Sequence, residues 1–160
     1  MIVVMYRGGL RSGETLALRP KDVDATAGTV TVLHGKGDRR RVVGLDPGAI
    51  AILSRWVDSR RSLGINGHAP LFCTLEGKTL KSSYVRTLLP RLARKAGIEK
   101  RVHPHGLRHT HAYELMIEGV PIPIIQQQLG HTSLATTDRY VSHLAPVDVI
   151  SHMQKRNWSL

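Results

Sequence analysis

The chain is poor in cysteine, in aromatic residues and in acid. Its one cysteine, Cys73, leaves no partner for a disulfide within the 160 residues and excludes metal sites built on paired cysteines. Aromatic side chains make up only 4%, too few for a protein that holds single strands by stacking their bases. No apolar run approaches the roughly 20 residues that cross a bilayer. The opening, MIVVMYRGGLR, has neither the basic n-region nor the cleavage site of a signal peptide, so the expectation is a soluble, cytoplasmic protein. Low-complexity segments, repeats of solenoid period and long linkers are also missing, and residues 1–160 are expected to form a single domain.

Positive charge, by contrast, is plentiful. Lys and Arg number 23 against 12 Asp and Glu, a formal net charge of +11. At 41% hydrophobic residues the chain can bury a core, and a charged fraction of 22% is too ordinary for a disordered polycation. A folded protein with this imbalance is suited to a polyanion held through its phosphates, most simply duplex DNA.

The periodicity predicts helices broken by one hairpin. Residues 2–6 form an apolar run with no N-cap, as though the first part of a buried helix preceded it. Ser12 is placed to cap a short helix carrying Glu14, Leu16 and Leu18, which Pro20 ends. Residues 29–33 alternate at period two, Gly35 to Asp38 supply turn residues, and Arg41 to Val43 return, which predicts a β-hairpin with Lys36 at its tip. Asp46 followed by Pro47 starts a helix over 47–63, with Ile50, Leu53, Val57 and Leu63 on its apolar stripe. Residues 71–73 and 79–80 flank a turn, as a strand pair or an ordered loop. A helix from Ser82 or Ser83 carries Val85, Leu88, Leu89, Leu92 and Ala96, with Pro90 interrupting it and Gly97 at its C-terminal cap. Residues 106–118 give another helix with Leu107, His111 and Leu115 on one face, and Pro121 restarts a short one that Gly130 stops. Ser133 can cap a last segment carrying Thr136, Thr137 and Tyr140. The expected fold is α+β, mainly helical, with a small hairpin or sheet toward the N-terminal side.

Three blocks carry the candidate chemistry: GGLRSGE around Arg11, HPHGLRH around His105 and Arg108, and LGHTSLATTDRY from Leu129 to Tyr140. With Lys36 between the first two, their order resembles the catalytic domain of the tyrosine recombinases, the phage-type integrases, over about residues 3–145. The resemblance implies six active-site residues: Arg11, Lys36, His105, Arg108, His131 and, as nucleophile, Tyr140. It further implies a helical DNA-clamping domain and a first catalytic helix ahead of Ile2, both outside residues 1–160, so the start reads as truncated. Residues 145–160, with Val149, Ile150, Met153 and Trp158, form a tail that in such a family packs on a neighbouring subunit and joins copies into a multimer on DNA. On this chain the alternative is that it folds back on its own domain. The implied location is nucleoid-associated, in a prokaryote or phage.

The chemistry stands without the family name. Cutting a phosphodiester without a metal requires cations on its two nonbridging oxygens. The planar arginine fork meets a phosphate with two hydrogen bonds and stays charged at any working pH, which suits Arg11 and Arg108. A tyrosine phenol, with an ordinary pKa of about 10, can form a phosphate ester that stores the bond energy until a DNA hydroxyl reverses the step. Neither water nor a cofactor is consumed. Lys36 is placed to protonate the departing 5′ oxygen, and His105 and His131 share the roles of base and hydrogen-bond donor, interchangeably as far as the sequence goes. Arg39, Arg40, Arg41 and Arg86 are expected along the phosphates of double-stranded DNA. His103, His109 and His111 crowd the same region. A zinc site there lacks a firm set of ligands beyond the His105 and His109 pair, so no metal is expected.

Three rival functions follow from the same residues. A recombinase-derived DNA-binding module would bind with steep salt dependence and form no covalent product. A topoisomerase IB-like enzyme would relax supercoils without recombinant products. A zinc hydrolase would be stopped by a chelator.

Overall fold

The computed structural model describes residues 1–33 and 40–130. The apolar run at the start is a helix, α1 (Ile2–Arg7), whose Val4 and Met5 are wholly buried. It lies between two cores. Val4 packs with Leu10, Leu18, Val30, Val32, Val43, Leu53, Leu71 and Phe72, while Met5 packs with Leu16, Val85 and Leu89 on the other side.

A turn through Gly8 and Gly9 leads to α2 (Ser12–Ala17). Its N-cap is Arg11, one residue earlier than the expected Ser12, because the Glu14 carboxylate reaches back to accept the Arg11 backbone N–H at 2.8 Å. Ser12 is therefore already inside the helix. A single 3-10 turn (Pro20–Asp22) follows, then β1 (Val23–Asp24), β2 (Thr29–Val32) and β3 (Arg41–Gly44). The sheet is antiparallel in the order β1-β2-β3, with Val30 opposite both Val23 and Val43. The expected hairpin is present. β1 was not expected, since two residues are too few to display a period.

Asp46 caps α3 (Pro47–Ser62), accepting the Ala49 N–H at 3.0 Å. The end of its apolar stripe differs from expectation. Leu63 is the C-cap and 57% exposed, and Arg60 takes the buried position in its place. One Arg60 nitrogen donates to the carbonyls of Asn66, Ala69 and Pro70 at 3.1–3.3 Å, which offsets part of the cost of its burial, its Nε having no partner among the described residues, and binds the following loop. Residues 73 and 79 form one isolated antiparallel bridge, between the two alternatives foreseen there.

α4 (Ser82–Lys95) buries Val85, Leu89 and Ala93. It runs on through Pro90, which removes one rung of the ladder without ending it. Ala96 is not on the buried stripe but is the exposed C-cap. α5 (Pro104–Ile117) is capped by His103, whose Nδ1 accepts the Gly106 N–H at 3.1 Å. α6 (Ile122–Leu129) packs Ile125 and Leu129 on Ala112 of α5 and ends at Gly130. No described helix is long and apolar enough to cross a membrane.

Candidate active site

The site begins with a buried arginine. Arg108, on the first turns of α5, is 1% exposed. Its guanidinium donates to the Gly9 carbonyl and, at 2.6 Å, to the Leu129 carbonyl. One side chain thus fastens the α1–α2 turn to the end of α6. Gly9 makes this approach possible. It has φ +64, and a Cβ there would lie 2.6 Å from the Leu129 side chain and 2.7 Å from that of His111.

Arg11 follows in the same turn and points into a cleft of about 520 Å³ lined by Arg11, Arg86, Arg101, His103, His105 and Arg108. Four arginines and two histidines contribute to this lining, and among the described residues no acidic side chain does. An opening with that lining favours an anion with several acceptor oxygens.

The counter-charge stands behind the cleft. Glu14, with its side chain 4% exposed, accepts from Arg11 Nη1 at 2.8 Å and from both terminal nitrogens of Arg41 at 2.7 and 2.9 Å. Burial pushes its pKa up, but the hydrogen bonds from Arg41 and from the Arg11 backbone outweigh burial and hold it at about 2. Glu14 is therefore a fixed anion that orients Arg11 while leaving that side chain 34% exposed to the cleft.

Beneath Gly9 sits His111, 5% exposed, with Nε2 lacking a hydrogen-bond partner among the described residues. Burial above all, and then the charges of Arg7 and Arg108, lower its pKa to about 4, so it is neutral at physiological pH. Around it Tyr6 donates to Glu114 at 2.5 Å, Arg7 reaches Glu114 at 3.5 Å, and Arg7 donates to Asp46 at 2.8 Å. These pairs join α1, α3 and α5 under the cleft.

Residues 1–145 match the phage integrase family. The chain belongs to that family. As an integrase-family chain it is 36% identical to the tyrosine recombinase XerC of Xanthomonas axonopodis pv. citri (strain 306), over 98% of this chain and 51% of that protein. It is 34% identical to XerC of Escherichia coli O127:H6, over 95% of this chain and 52% of the other. The crystal structure of XerA recombinase superposes with a TM-score of 0.85 at 33% identity, covering 98% of this chain and 57% of that one. XerH bound to a palindromic difH substrate, in a post-cleavage complex, gives 0.77 at 29%, covering 96% and 43%. The chain spans about half the length of the curated relatives it matches. The family resemblance and the mainly helical α+β fold expected from the sequence both hold.

The integrase-family fold brings Arg11, His105 and Arg108 to one cleft, with Arg86 on its rim. Arg40 is exposed at the entry to β3. Arg41, expected along phosphates beside it, is only 11% exposed and has its guanidinium in a fork with Glu14. The run of adjacent arginines in the sequence concealed that pairing. Lys36, Arg39, His131 and Tyr140 lie outside the described residues, as do the expected cap at Ser133 and the tail over 145–160. The clustered histidines divide the work: His103 caps α5, His105 and His109 meet edge to face at 4.1 Å, and His111 is buried. Among the described residues no three metal-ligating side chains gather.

Two contributors escaped the sequence reading. Glu14 was read as a helix residue, because an arginine at the N-cap has no side-chain acceptor and only the Glu14 half of a capping box forms there. Gln128 gave no signal at all. Its amide pairs with both backbone groups of Gly44, at 3.0 and 2.8 Å, and docks α6 on β3.

Proposed function

We propose that this chain cuts and rejoins strands of double-stranded DNA as a site-specific recombinase, through a 3′-phosphotyrosyl intermediate on Tyr140. The observation that carries the reading is the cleft, which Arg11 and Arg108 line together with His105 and two further arginines and, among the described residues, no acidic side chain. Membership of the phage integrase family and the likeness to XerC, XerA and XerH support it.

In this mechanism the scissile phosphate enters the cleft, Arg11 meets a nonbridging oxygen directly, and Arg108 turns a nitrogen away from its backbone carbonyls to reach the other, so that charge is neutralised as it builds in the transition state. The Tyr140 oxygen attacks phosphorus, the bond to the 5′ oxygen breaks, and the phenolic proton passes to a histidine, with His105 as base and His131 as donor to the phosphate. Lys36 gives its proton to the departing 5′ oxygen. Attack by a 5′-hydroxyl, from the same or a partner strand, reverses every transfer and releases Tyr140. Arg39, Arg40 and Arg86 carry the flanking phosphates. Copies assemble on DNA through residues 145–160, and the protein works at the nucleoid. No metal or cofactor takes part in the sequence of steps.

The test mixes the protein with nicked suicide DNA and supercoiled plasmid in chelator, with Tyr140→Phe as control. A covalent protein–DNA adduct that the variant lacks is the expected result. Salt-sensitive binding without an adduct refutes the proposal in favour of an inert module. Plasmid relaxation without recombinants would instead assign a topoisomerase, and loss of activity in chelator a metal hydrolase.

A further inference from the structure

Arg41 joins three parts of the site from outside the cleft. Its two terminal nitrogens occupy both oxygens of Glu14, the same two oxygens that hold the Arg11 backbone and guanidinium. Its Nε donates to the Gln128 carbonyl at 3.4 Å in the last turn of α6. Its shaft lies against Gly130, where a Cβ would stand 2.7 Å from Arg41 Cδ and 2.9 Å from Cζ. Gly130 has φ +67 and directly precedes His131 in the chain. Arg41 itself is the first residue of β3, on the return limb of the hairpin that carries Lys36.

From this we infer that Arg41 is a positioning residue: through Glu14 it sets Arg11, and through Gln128 and Gly130 it registers the end of α6 against the base of the hairpin. A guanidinium can do this because its fork fills two carboxylate lone pairs while a third nitrogen bonds elsewhere. A lysine ammonium has no such planar fork, so Arg41→Lys keeps the charge and loses the registration. The inference deepens the proposed strand-cutting role and rests on it for its catalytic consequence.

The experiment has two arms, so that failure of the two readings can be told apart. In single-turnover cleavage of suicide DNA, Arg41→Lys is expected to lower the rate at saturating DNA about 100-fold, within the range seen for misplaced catalytic groups. Its DNA affinity should stay within about two-fold, with the salt slope of binding unchanged, because Arg41 contacts no phosphate. In native-state hydrogen exchange, the Arg11 amide should exchange about ten-fold faster in Arg41→Lys while α3 amides are unmoved. Gly130→Ala, which presses on Arg41 from the opposite side, should speed the same Arg11 amide and serves in its place if Arg41→Lys does not fold. A salt slope reduced by about one phosphate contact would make Arg41 a DNA contact and overturn the inference. So would an Arg11 amide unchanged in both variants, or full cleavage by Arg41→Lys. If the unmodified protein forms no adduct, the proposed function fails, and exchange at Arg11 still decides what Arg41 does.

Discussion

Replacing Glu14 by Gln tests the electrostatic arrangement behind the cleft most directly. The substitution keeps the shape and removes the charge that Arg11 and Arg41 share. The Glu14 pKa falls from 4.5 to about 2 on folding. At 1.36 kcal/mol per pKa unit, a shift of this size is worth about 3 kcal/mol at neutral pH. Breaking a buried ion pair from one side independently predicts about 3–5 kcal/mol, and Arg41 at 11% exposure would be left with little water to replace its partner. The sign follows from linkage. A carboxylate with a depressed folded pKa stabilises fully above its unfolded value, and that contribution drains away as pH falls from about 4.5 toward 2. The assay is equilibrium urea unfolding of the protein and Glu14→Gln between pH 7 and pH 3. With a typical slope of about 2 kcal/mol per molar urea, the midpoints should differ by about 1.5 M at pH 7, and the gap should begin to narrow below pH 4.5 and be roughly halved at pH 3. A difference that is the same at every pH would refute the account, because it would show that Glu14 contributes through shape and not through charge.

Other substitutions probe the remaining parts. Gly9→Ala forces a side chain into a left-handed backbone and onto Leu129 and His111; a loss of about 2–4 kcal/mol in urea unfolding is expected, the sum of backbone strain and overpacking. His111, held neutral by burial with its pKa lowered to about 4 from 6.5, stabilises fully above pH 6.5, and its contribution, worth about 3 kcal/mol, drains away as pH falls toward 4. His111→Phe should remove that portion of the acid sensitivity, which melting temperatures between pH 7 and 4.5 would reveal. Arg108→Lys exchanges a fork on two buried carbonyls for a point charge; adduct formation should drop at least about 100-fold, read on a denaturing gel. Arg86→Ala, on the exposed rim, should leave stability within about 0.5 kcal/mol and reduce the salt slope of DNA binding by about one, measured by titration at several salt concentrations.

The sequence by itself determined the elements and their punctuation. Asp46 before Pro47, Pro121 at the start of α6 and Gly130 at its end each mark a helix boundary through bonds or dihedrals within a few residues. The motifs around Arg11 and Arg108, the hairpin lysine Lys36 and the block from Leu129 to Tyr140 were legible in the same way, as fixed local spacings in a fixed order, and together they carried the family resemblance. Only the tertiary structure decided what each cation pairs with and how far it is withdrawn from solvent. Arg41, one of three adjacent arginines, pairs with Glu14 27 positions away. Arg108 bonds Gly9 across 99 positions, and Arg60 replaces an expected leucine in the core. Side-chain type and helical phase fix only a residue's own turn. The partner of a buried charge is chosen by which carbonyls and carboxylates the closing chain leaves unsatisfied beside it.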